Sequence, residues 1–131
     1  MILDTSFLLD VMASDGAAIS RAEEIESNDE PARLSSMTVY DLYYGVEISA
    51  ASVDEQRRVD RTIGAYPIVN PDPTIMRKAG RIDAMLDRSG QSIDDDADVI
   101  IGATGVVLEE PVLTRNVDHF ERIPDLLVES Y

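Results

Sequence analysis

The sequence has 131 residues, of which 44% are hydrophobic and 28% are charged, so its size and composition fit one compact domain over residues 1–131. It contains 26 acidic and 11 basic residues, which give a formal net charge of -15, together with no cysteine and one histidine, His119. These counts exclude disulfides, thiolate metal sites and histidine-rich zinc sites, so oxygen atoms would have to hold any metal ion.

Short apolar stretches alternate along the chain with longer segments of helical period, which predicts repeated βα units and a parallel sheet. The strand-length stretches are residues 1–3, 32–35, 67–69, 112–113 and 126–128. One helical pattern begins after residue 4, and a second begins after residue 16 and ends in a polar run at 27–30. The later helical patterns cover residues 38–51, 53–65, 74–88, 94–107 and 118–122. We therefore expect an α/β domain.

The acidic residues are spread along the whole chain, whereas Lys78 is its one lysine. This pattern is typical of proteins that stay soluble in concentrated salt, because a Debye length of about 3 Å at 1 M screens most of the self-repulsion. We therefore expect a halophilic origin, such as a halophilic archaeon, with an acidic protein from a non-halophile as the alternative. The first residues lack a secretion signal and no apolar run is long enough to span a bilayer, so we expect a cytoplasmic protein without membrane contact.

Polar side chains follow three of the predicted strands. In parallel sheets, functional side chains gather beyond the carboxyl ends of the strands, where each strand passes into its helix. An Asp at such a position can equally be a helix N-cap that accepts backbone N–H bonds, and the residue type alone leaves both interpretations open. The residues concerned are Asp4, Ser35-Ser36 and Thr114-Arg115-Asn116.

Two further carboxylates lie inside predicted helices. Asp41 stands beside Leu42 in a largely apolar helix, where Asp is a poor helix former; a solvated position is the alternative explanation. Asp98 precedes a long apolar segment and is expected to be buried, where an unpaired carboxylate is strongly unfavourable. Because basic residues are few, a metal ion is the natural counter-charge for Asp98. We interpret the acidic run 94–96 as a helix start or a surface cluster.

Carboxylates that converge without histidine or cysteine select hard cations. Mg²⁺ needs only one or two direct carboxylates in addition to water and substrate phosphate, and Mn²⁺ fits as well. Such an ion lowers the pKa of a bound water and neutralises charge on an attacked phosphate. The residues therefore predict a metal-dependent nuclease.

Three stretches of the chain carry a further signal in their order and spacing. They are residues 2–6, residues 35–45, and residues 98–103 followed by 113–116 and 120–123. Together they resemble the PIN-domain ribonucleases and, within them, the VapC-like toxins of toxin-antitoxin pairs, over essentially the whole chain. The resemblance implies a three-layer α/β/α fold around a parallel sheet of four to five short strands. It also implies a Mg²⁺- or Mn²⁺-dependent endoribonuclease that is the toxin of a type II pair, with RNA as substrate and an antitoxin protein as partner.

The resemblance also assigns roles to individual residues. Asp4, Asp41 and Asp98 match the first three metal-binding acids of the family, although the second is usually Glu, so the shorter Asp41 is expected to reach a metal only through water. The fourth acidic role is open between Asp118, Asn116 and neither. The polar residues that the resemblance places around the site, as substrate contacts, are Thr5, Ser6, Thr114 and Asn116. Arg115 is expected from its own position at the rim of the site to contact the substrate, and a salt bridge to a surface carboxylate is the alternative.

His119, which follows Asp118, is not assigned a role. We do not assign His119 as a general base, because the sequence shows no partner that would orient its ring.

The net charge of -15 opposes binding of a polyanion, so the distribution of the basic residues matters. Three arginines share the predicted helix 53–65, and we expect them to be paired with surface carboxylates. Three further cations share the helix 74–88. The two groups are Arg57, Arg58 and Arg61, and Arg77, Lys78 and Arg81.

Three alternatives to a nuclease toxin agree with these residues to different degrees. A receiver-like signalling domain would need an Asp directly after the third strand and a Lys after the last, but Asn70 follows the third strand and Lys78 lies in a helix. The departures at positions 41 and 119 leave open a catalytically weak or dead PIN-like scaffold that binds RNA or protein. A housekeeping RNA-processing nuclease is a further alternative.

The predicted helix 38–51 presents an aromatic surface that a small domain cannot readily cover, and aromatic patches are enriched at interfaces. We therefore expect a homodimer. The alternative is that Tyr40 and Tyr44 pack under the neighbouring charged helix. The residues of this surface are Tyr40, Tyr43, Tyr44 and Ile48.

The acidity predicts an unusual response to salt. Raising KCl toward about 1 M screens repulsion among the carboxylates and between protein and RNA, so melting temperature and RNA cleavage should both persist or rise. This is opposite to the usual weakening of protein-nucleic acid complexes by salt. Both quantities should be measured across a KCl series at fixed Mg²⁺. A protein most stable and most active below about 0.1 M would show that the acidity is not a salt adaptation.

Overall fold

Five short strands form one parallel sheet in the computed structural model, which describes residues 1–131. Their order across the sheet is β3-β2-β1-β4-β5, so the first strand of the chain lies at its centre. All four neighbouring pairs are parallel. The strands are β1 (Ile2–Leu3), β2 (Arg33–Ser35), β3 (Ile68–Val69), β4 (Val112–Leu113) and β5 (Val128–Glu129).

Seven helices connect and cover these strands. Most begin at a side chain that accepts a backbone N–H bond, as Asp15, Ser52 and Asp72 do for the second, fourth and fifth helices. No helix has both the length and the apolar content needed to cross a membrane. The helices are α1 (Thr5–Met12), α2 (Gly16–Ser27), α3 (Ser36–Ile48), α4 (Val53–Gly64), α5 (Pro73–Arg88), α6 (Asp96–Leu108) and α7 (Val117–Phe120).

Alternation along the central strands divides the core into two halves. Ile2 and Val112 face one side of the sheet and pack with residues of α5, α6 and α7, whereas Leu3, Leu34 and Leu113 face the other side and pack with α1 to α4. This period-2 pattern buries both faces of the sheet, as parallel sheets require. The three-layer α/β/α fold expected from the resemblance is therefore confirmed, with five strands.

Some predicted boundaries were wrong by two residues, for reasons that lie in capping and pairing. Helix α3 begins at Ser36 because Ser35 ends β2 and its hydroxyl accepts the Met37 backbone N–H at 3.1 Å. The last strand is Val128–Glu129 and not 126–128, since the Thr114 N–H bonds to the carbonyl oxygen of Glu129. Leu126 instead packs against the core beside α6.

The aromatic surface of α3 is exposed in the structure. Tyr40 and Tyr44 are 63% and 58% exposed, so the alternative that they pack under the neighbouring charged helix is wrong. The Tyr43 hydroxyl donates to Asp60 of α4, and Ile48 is 71% exposed. The homodimer stays a prediction.

Two glycines of α6 lie where the chain after β4 crosses the helix. A Cβ at Gly105 would lie 2.7 Å from Leu126 Cδ1 and 2.9 Å from the carbonyl oxygen of Glu110. A Cβ at Gly102 would overlap the end of the Ile123 side chain. The small residues of α6 thus allow residues 123–126 to pack directly on the helix.

Replacing Gly105 by Ala should therefore lower the free energy of unfolding, by about 1–3 kcal/mol, because the backbone of Glu110 cannot yield as a side chain can. Gly80 of α5 is the matched control, since its Cβ position meets no atom within 4 Å, and Gly80→Ala should be neutral or stabilising by up to about 1 kcal/mol. Urea unfolding of both variants measures the difference. Equal stability of Gly105→Ala and Gly80→Ala would contradict this close packing.

Candidate active site

The carboxyl ends of β1 and β4, the second and third turns of α3 and the first turn of α6 border one open cleft of about 350 Å³. This is the edge where functional side chains are expected in a parallel sheet. Three of the carboxylates named from the sequence, which are 37 and 57 residues apart along the chain, line this single cleft. The lining residues are Asp4, Thr5, Ser6, Leu9, Asp41, Tyr44, Asp95, Asp98, Arg115, Asn116 and His119.

Asp4 is the deepest of these carboxylates, with 1% of its surface exposed. It ends β1 and is the N-cap of α1, so the catalytic and capping interpretations of this residue are compatible. Its Oδ2 accepts the Ser6 hydroxyl at 2.6 Å and the Thr114 hydroxyl at 2.8 Å. Its Oδ1 is buried and has no hydrogen-bond partner.

The two hydroxyls that hold Asp4 are themselves directed by the backbone. Ser6 Oγ accepts the N–H of Arg115 at 3.1 Å, and Thr114 Oγ1 accepts the N–H of Asn116 at 2.9 Å. Each hydroxyl therefore has its proton available for the carboxylate. Ser6 and Thr114 act in this structure as supports of Asp4, and their hydroxyls are not free to contact a substrate as the sequence interpretation expected.

Asp41 lies on α3 and is half-buried. Its Oδ2 accepts the Thr5 hydroxyl at 3.0 Å, so Thr5 also positions a carboxylate. Burial raises the pKa of Asp41, the Thr5 hydrogen bond opposes that rise, and the charges of Asp95 and Asp4 add to it. The solvated position that the sequence left open for Asp41 does not describe its place in the cleft.

Asp98 is 7% exposed and lies one turn into α6. Burial, followed by repulsion from Asp4, raises its pKa from 3.8 to about 6. Its Oδ2 lies 3.2 Å from His119 Nδ1, and this contact opposes the rise. The ring of His119 thus has a partner, contrary to the sequence interpretation.

The donor set fits a hard cation. The buried Oδ1 of Asp4 has no hydrogen-bond partner, so its lone pairs are available to a cation. Asp41, Asp95 and Asp98 line the same cleft, and their carboxylates are oxygen donors, which hard cations prefer. As the side chains stand, no three His, Asp or Glu residues lie close enough to ligate one ion together. Mg²⁺ tolerates this arrangement, because it binds through one or two carboxylates and keeps several waters.

The remaining candidates separate into two groups. Arg115 and Asn116 line the cleft, whereas Asp118 is exposed on α7 and does not line it. Of the two residues considered for the fourth acidic role, the structure brings only Asn116 to the site. The guanidinium of Arg115 pairs with Asp10, whose other oxygen accepts the Tyr131 hydroxyl at 2.7 Å.

Comparison with known proteins matches residues 1–126 to the PIN domain. The chain belongs to the PIN-domain family. This PIN domain is 30% identical over 125 residues to "Ribonuclease VapC19" of Mycobacterium tuberculosis, and the match covers 95% of each chain. It is 30% identical over 112 residues to the "tRNA(fMet)-specific endonuclease VapC" of Salmonella typhimurium, which covers 83% of this chain and 82% of that protein.

The fold also matches solved structures. The crystal structure of VapBC2 from Rickettsia felis bound to a DNA fragment from their promoter superposes with a TM-score of 0.88. Sequence identity is 21%, and the match covers 99% of this chain and 97% of that chain. At this identity the likeness supports the fold.

Sequence reasoning did not assign four residues that the PIN domain brings to the cleft or its rim. Asp95 was interpreted as part of an acidic run, but it both caps α6 through the Ala97 N–H at 2.9 Å and lines the cleft. Tyr44 was expected on an exposed aromatic surface, and its place in the cleft depends on how α3 is rotated about its axis. His119 was left without a role because its partner Asp98 is 21 positions away. Asp10 showed no sequence signal, since its partner Arg115 is 105 positions away.

The buried charge of Asp98 predicts opposite effects on stability and metal binding. Since its pKa is raised in the fold, its charged form destabilises the metal-free protein above pH 6, and this penalty shrinks as the pH falls from about 6 toward the ordinary pKa of 3.8. Asp98→Asn should therefore raise the free energy of unfolding in EDTA at pH 7 by about 1–2 kcal/mol, and the difference should shrink toward pH 4.

The same variant should lose most of the increase in melting temperature that Mg²⁺ or Mn²⁺ gives to the wild type. Asp118→Asn is the control and should change neither quantity, because Asp118 is exposed and outside the cleft. Thermal unfolding with EDTA and with each ion checks both effects. An Asp98→Asn protein that is less stable than wild type in EDTA, yet equally stabilised by Mg²⁺, would contradict the assignment of Asp98.

Proposed function

We propose that this PIN domain is a divalent-metal-dependent endoribonuclease and the toxin of a type II toxin-antitoxin pair. The observation that carries the proposal is the convergence of Asp4, Asp41 and Asp98 in one cleft around a buried, unpartnered carboxylate oxygen. Relatives named as a ribonuclease and an endonuclease, matched over most of the chain, support RNA as the substrate class.

Asp4 and Asp98 would hold the ion directly, and Asp41 through water, since Asp41 is only half-buried and its carboxylate is shared with Thr5. Bound Mg²⁺ or Mn²⁺ supplies an activated water and neutralises charge on the phosphate. The chain itself contributes the orientation: Ser6 and Thr114 fix Asp4, so that its free oxygen keeps one direction. Hydrogen bonds that orient a metal-binding side chain in this way are a general requirement of metal sites.

His119 and Arg115 lie where they could act on the RNA. The ring of His119 is held by Asp98 through Nδ1, which leaves Nε2 as its other hydrogen-bonding atom. Arg115 is 56% exposed, and its pairing with Asp10 keeps the guanidinium at the rim of the cleft. We propose that Arg115 and Asn116 contact the phosphate backbone, as expected from the sequence.

The basic groups on the helices differ from expectation. None of the three arginines of α4 forms an ion pair, so their expected pairing with surface carboxylates was wrong, and the three cations of α5 are unpaired as well. In a chain of net charge -15, these six side chains are available for a polyanion, as are Arg88 and Arg122, which also form no ion pair. The six are Arg57, Arg58, Arg61, Arg77, Lys78 and Arg81.

We further propose a cognate antitoxin as partner and the cytoplasm as location. The Rickettsia felis structure is a VapBC2 complex on promoter DNA, and the present chain has the fold of that structure over 99% of its length. A neighbouring short gene for a DNA-binding protein would support the partner. The catalytically weak scaffold stays the second candidate, because no three acidic or histidine side chains are already placed to ligate one ion.

Removing either deep carboxylate should abolish cleavage. Asp4→Asn and Asp98→Asn preserve volume while removing a negative ligand, so each should lower the rate by about 100-fold or more. Loss of even a residue that only hydrogen-bonds to a metal ligand costs about 10- to 100-fold. Asp118→Asn should remain within about twofold of wild type. Cleavage of labelled RNA with Mg²⁺, Mn²⁺ or EDTA measures the effect, and circular dichroism checks folding.

Two outcomes would refute parts of this proposal. Wild-type cleavage by Asp4→Asn or Asp98→Asn in Mg²⁺ would show that the metal site is elsewhere. The catalytically weak scaffold would be favoured if divalent ions raised the melting temperature of the wild type but the protein cleaved none of the RNAs tested.

A further inference from the structure

We propose that Tyr44, backed by Tyr40, is a stacking platform for an unpaired RNA base beside the phosphate that is cut. This inference deepens the proposed function, because it names a substrate subsite next to the carboxylates. The ligand class is single-stranded RNA, and the contact is the flat face of one nucleobase.

The two rings are prearranged and open. Tyr40 and Tyr44 are one helical turn apart on α3, and their ring centroids lie 6.4 Å apart with an angle of 20° between the planes. Both side chains are more than half exposed. The third tyrosine of the helix differs, since the Tyr43 hydroxyl is held by Asp60 of α4. Tyr43 therefore has a structural contact that Tyr40 and Tyr44 lack.

The platform is continuous with the cleft. Tyr44 lines it together with Asp41, which lies three residues earlier on the same helix, and residues at this spacing have Cβ atoms about 5–6 Å apart. Leu9 of α1 lines the same cleft and is 46% exposed. Leu9 and Tyr44 thus give an apolar border to the same cleft that the carboxylates line.

The charge of the cleft explains why an aromatic contact is needed there. Asp4, Asp41, Asp95 and Asp98 line it, and Arg115, the one cation at its rim, already pairs with Asp10. Phosphate contacts to basic side chains, which usually supply most of the affinity for nucleic acid, are therefore scarce at this point. A base presents an uncharged face, and stacking on an aromatic ring is insensitive to the surrounding carboxylates.

A second copy of the chain is the competing occupant of this face. An RNA base is favoured because Tyr44 lies in the cleft itself, among charged side chains that a protein interface core generally excludes. Unpaired and splayed bases stacked on aromatic side chains are the common mode of single-stranded RNA recognition. A homodimer that leaves the outer face of Tyr44 open is compatible with the proposal.

The test uses the full chain and a short single-stranded RNA that carries 2-aminopurine at one of several positions. Binding is followed by fluorescence quenching in molar KCl with EDTA, so that it is measured without cleavage. We expect quenching at one or two adjacent positions for the wild type. Tyr44→Leu should weaken binding by about 10-fold and abolish the quenching, whereas Tyr44→Phe should keep both, since alanine substitution of a stacking residue typically costs 5- to 150-fold.

Tyr40→Leu should have a smaller effect of about threefold, because it removes the backing ring and not the contact itself. Tyr43→Leu is the matched control on the same helix and should bind RNA as wild type does. Light scattering on the same samples reports the oligomeric state.

Three results would overturn the platform. The first is that the wild type at saturating concentration does not quench the fluorescence. The second is that Tyr43→Leu and Tyr44→Leu lose RNA binding equally. The third is that Tyr44→Leu converts a dimer to a monomer while RNA binding is unchanged. The last would assign the face to a second copy. Because the assay contains no divalent ion, failure of the nuclease proposal would show separately, as a wild-type protein that binds RNA but does not cleave it in Mg²⁺.

Discussion

The buried carboxylate of Asp4 is the constraint on which the site depends. At 1% exposure a charged group needs hydrogen bonds or a counter-charge, and the chain supplies hydrogen bonds to one of its two oxygens. The donors, Ser6 and Thr114, are each directed by a backbone N–H of the segment after β4. The ends of β1 and β4 are thereby joined through one carboxylate, and its second oxygen stays free for a cation.

The remaining carboxylates add repulsion that the protein itself does not neutralise. Burial and the charge of Asp4 raise the pKa of Asp98, and Asp41 is shifted in the same direction. The site is therefore unfavourable without a counter-ion, which is a general way in which function reduces stability. The same excess of negative charge limits phosphate contacts with RNA, so uncharged contacts to the bases become more important. The exposed rings of Tyr40 and Tyr44 can provide them.

Packing far from the carboxylates determines where the last residue of the site lies. Close approach of Ile123 and Leu126 to α6 is possible because Gly102 and Gly105 carry no side chain. This contact holds the segment after β4 against the helix that bears Asp98. His119 is thus placed 3.2 Å from the carboxylate of Asp98, although the two residues are 21 positions apart.

The order of strands and helices, the parallel sheet and the three carboxylates Asp4, Asp41 and Asp98 could be predicted from the sequence, because they depend on local periodicity and on acidic residues at a strand end or inside apolar helices. Tertiary structure alone decided what each side chain contacts. It directed the Ser6 and Thr114 hydroxyls to Asp4, brought His119 to Asp98 and left Asp118 outside the cleft. These outcomes depend on distances between residues of different strands and helices. The periodicity of the sequence carries no information about such distances, or about how a short helix such as α7 is rotated about its axis.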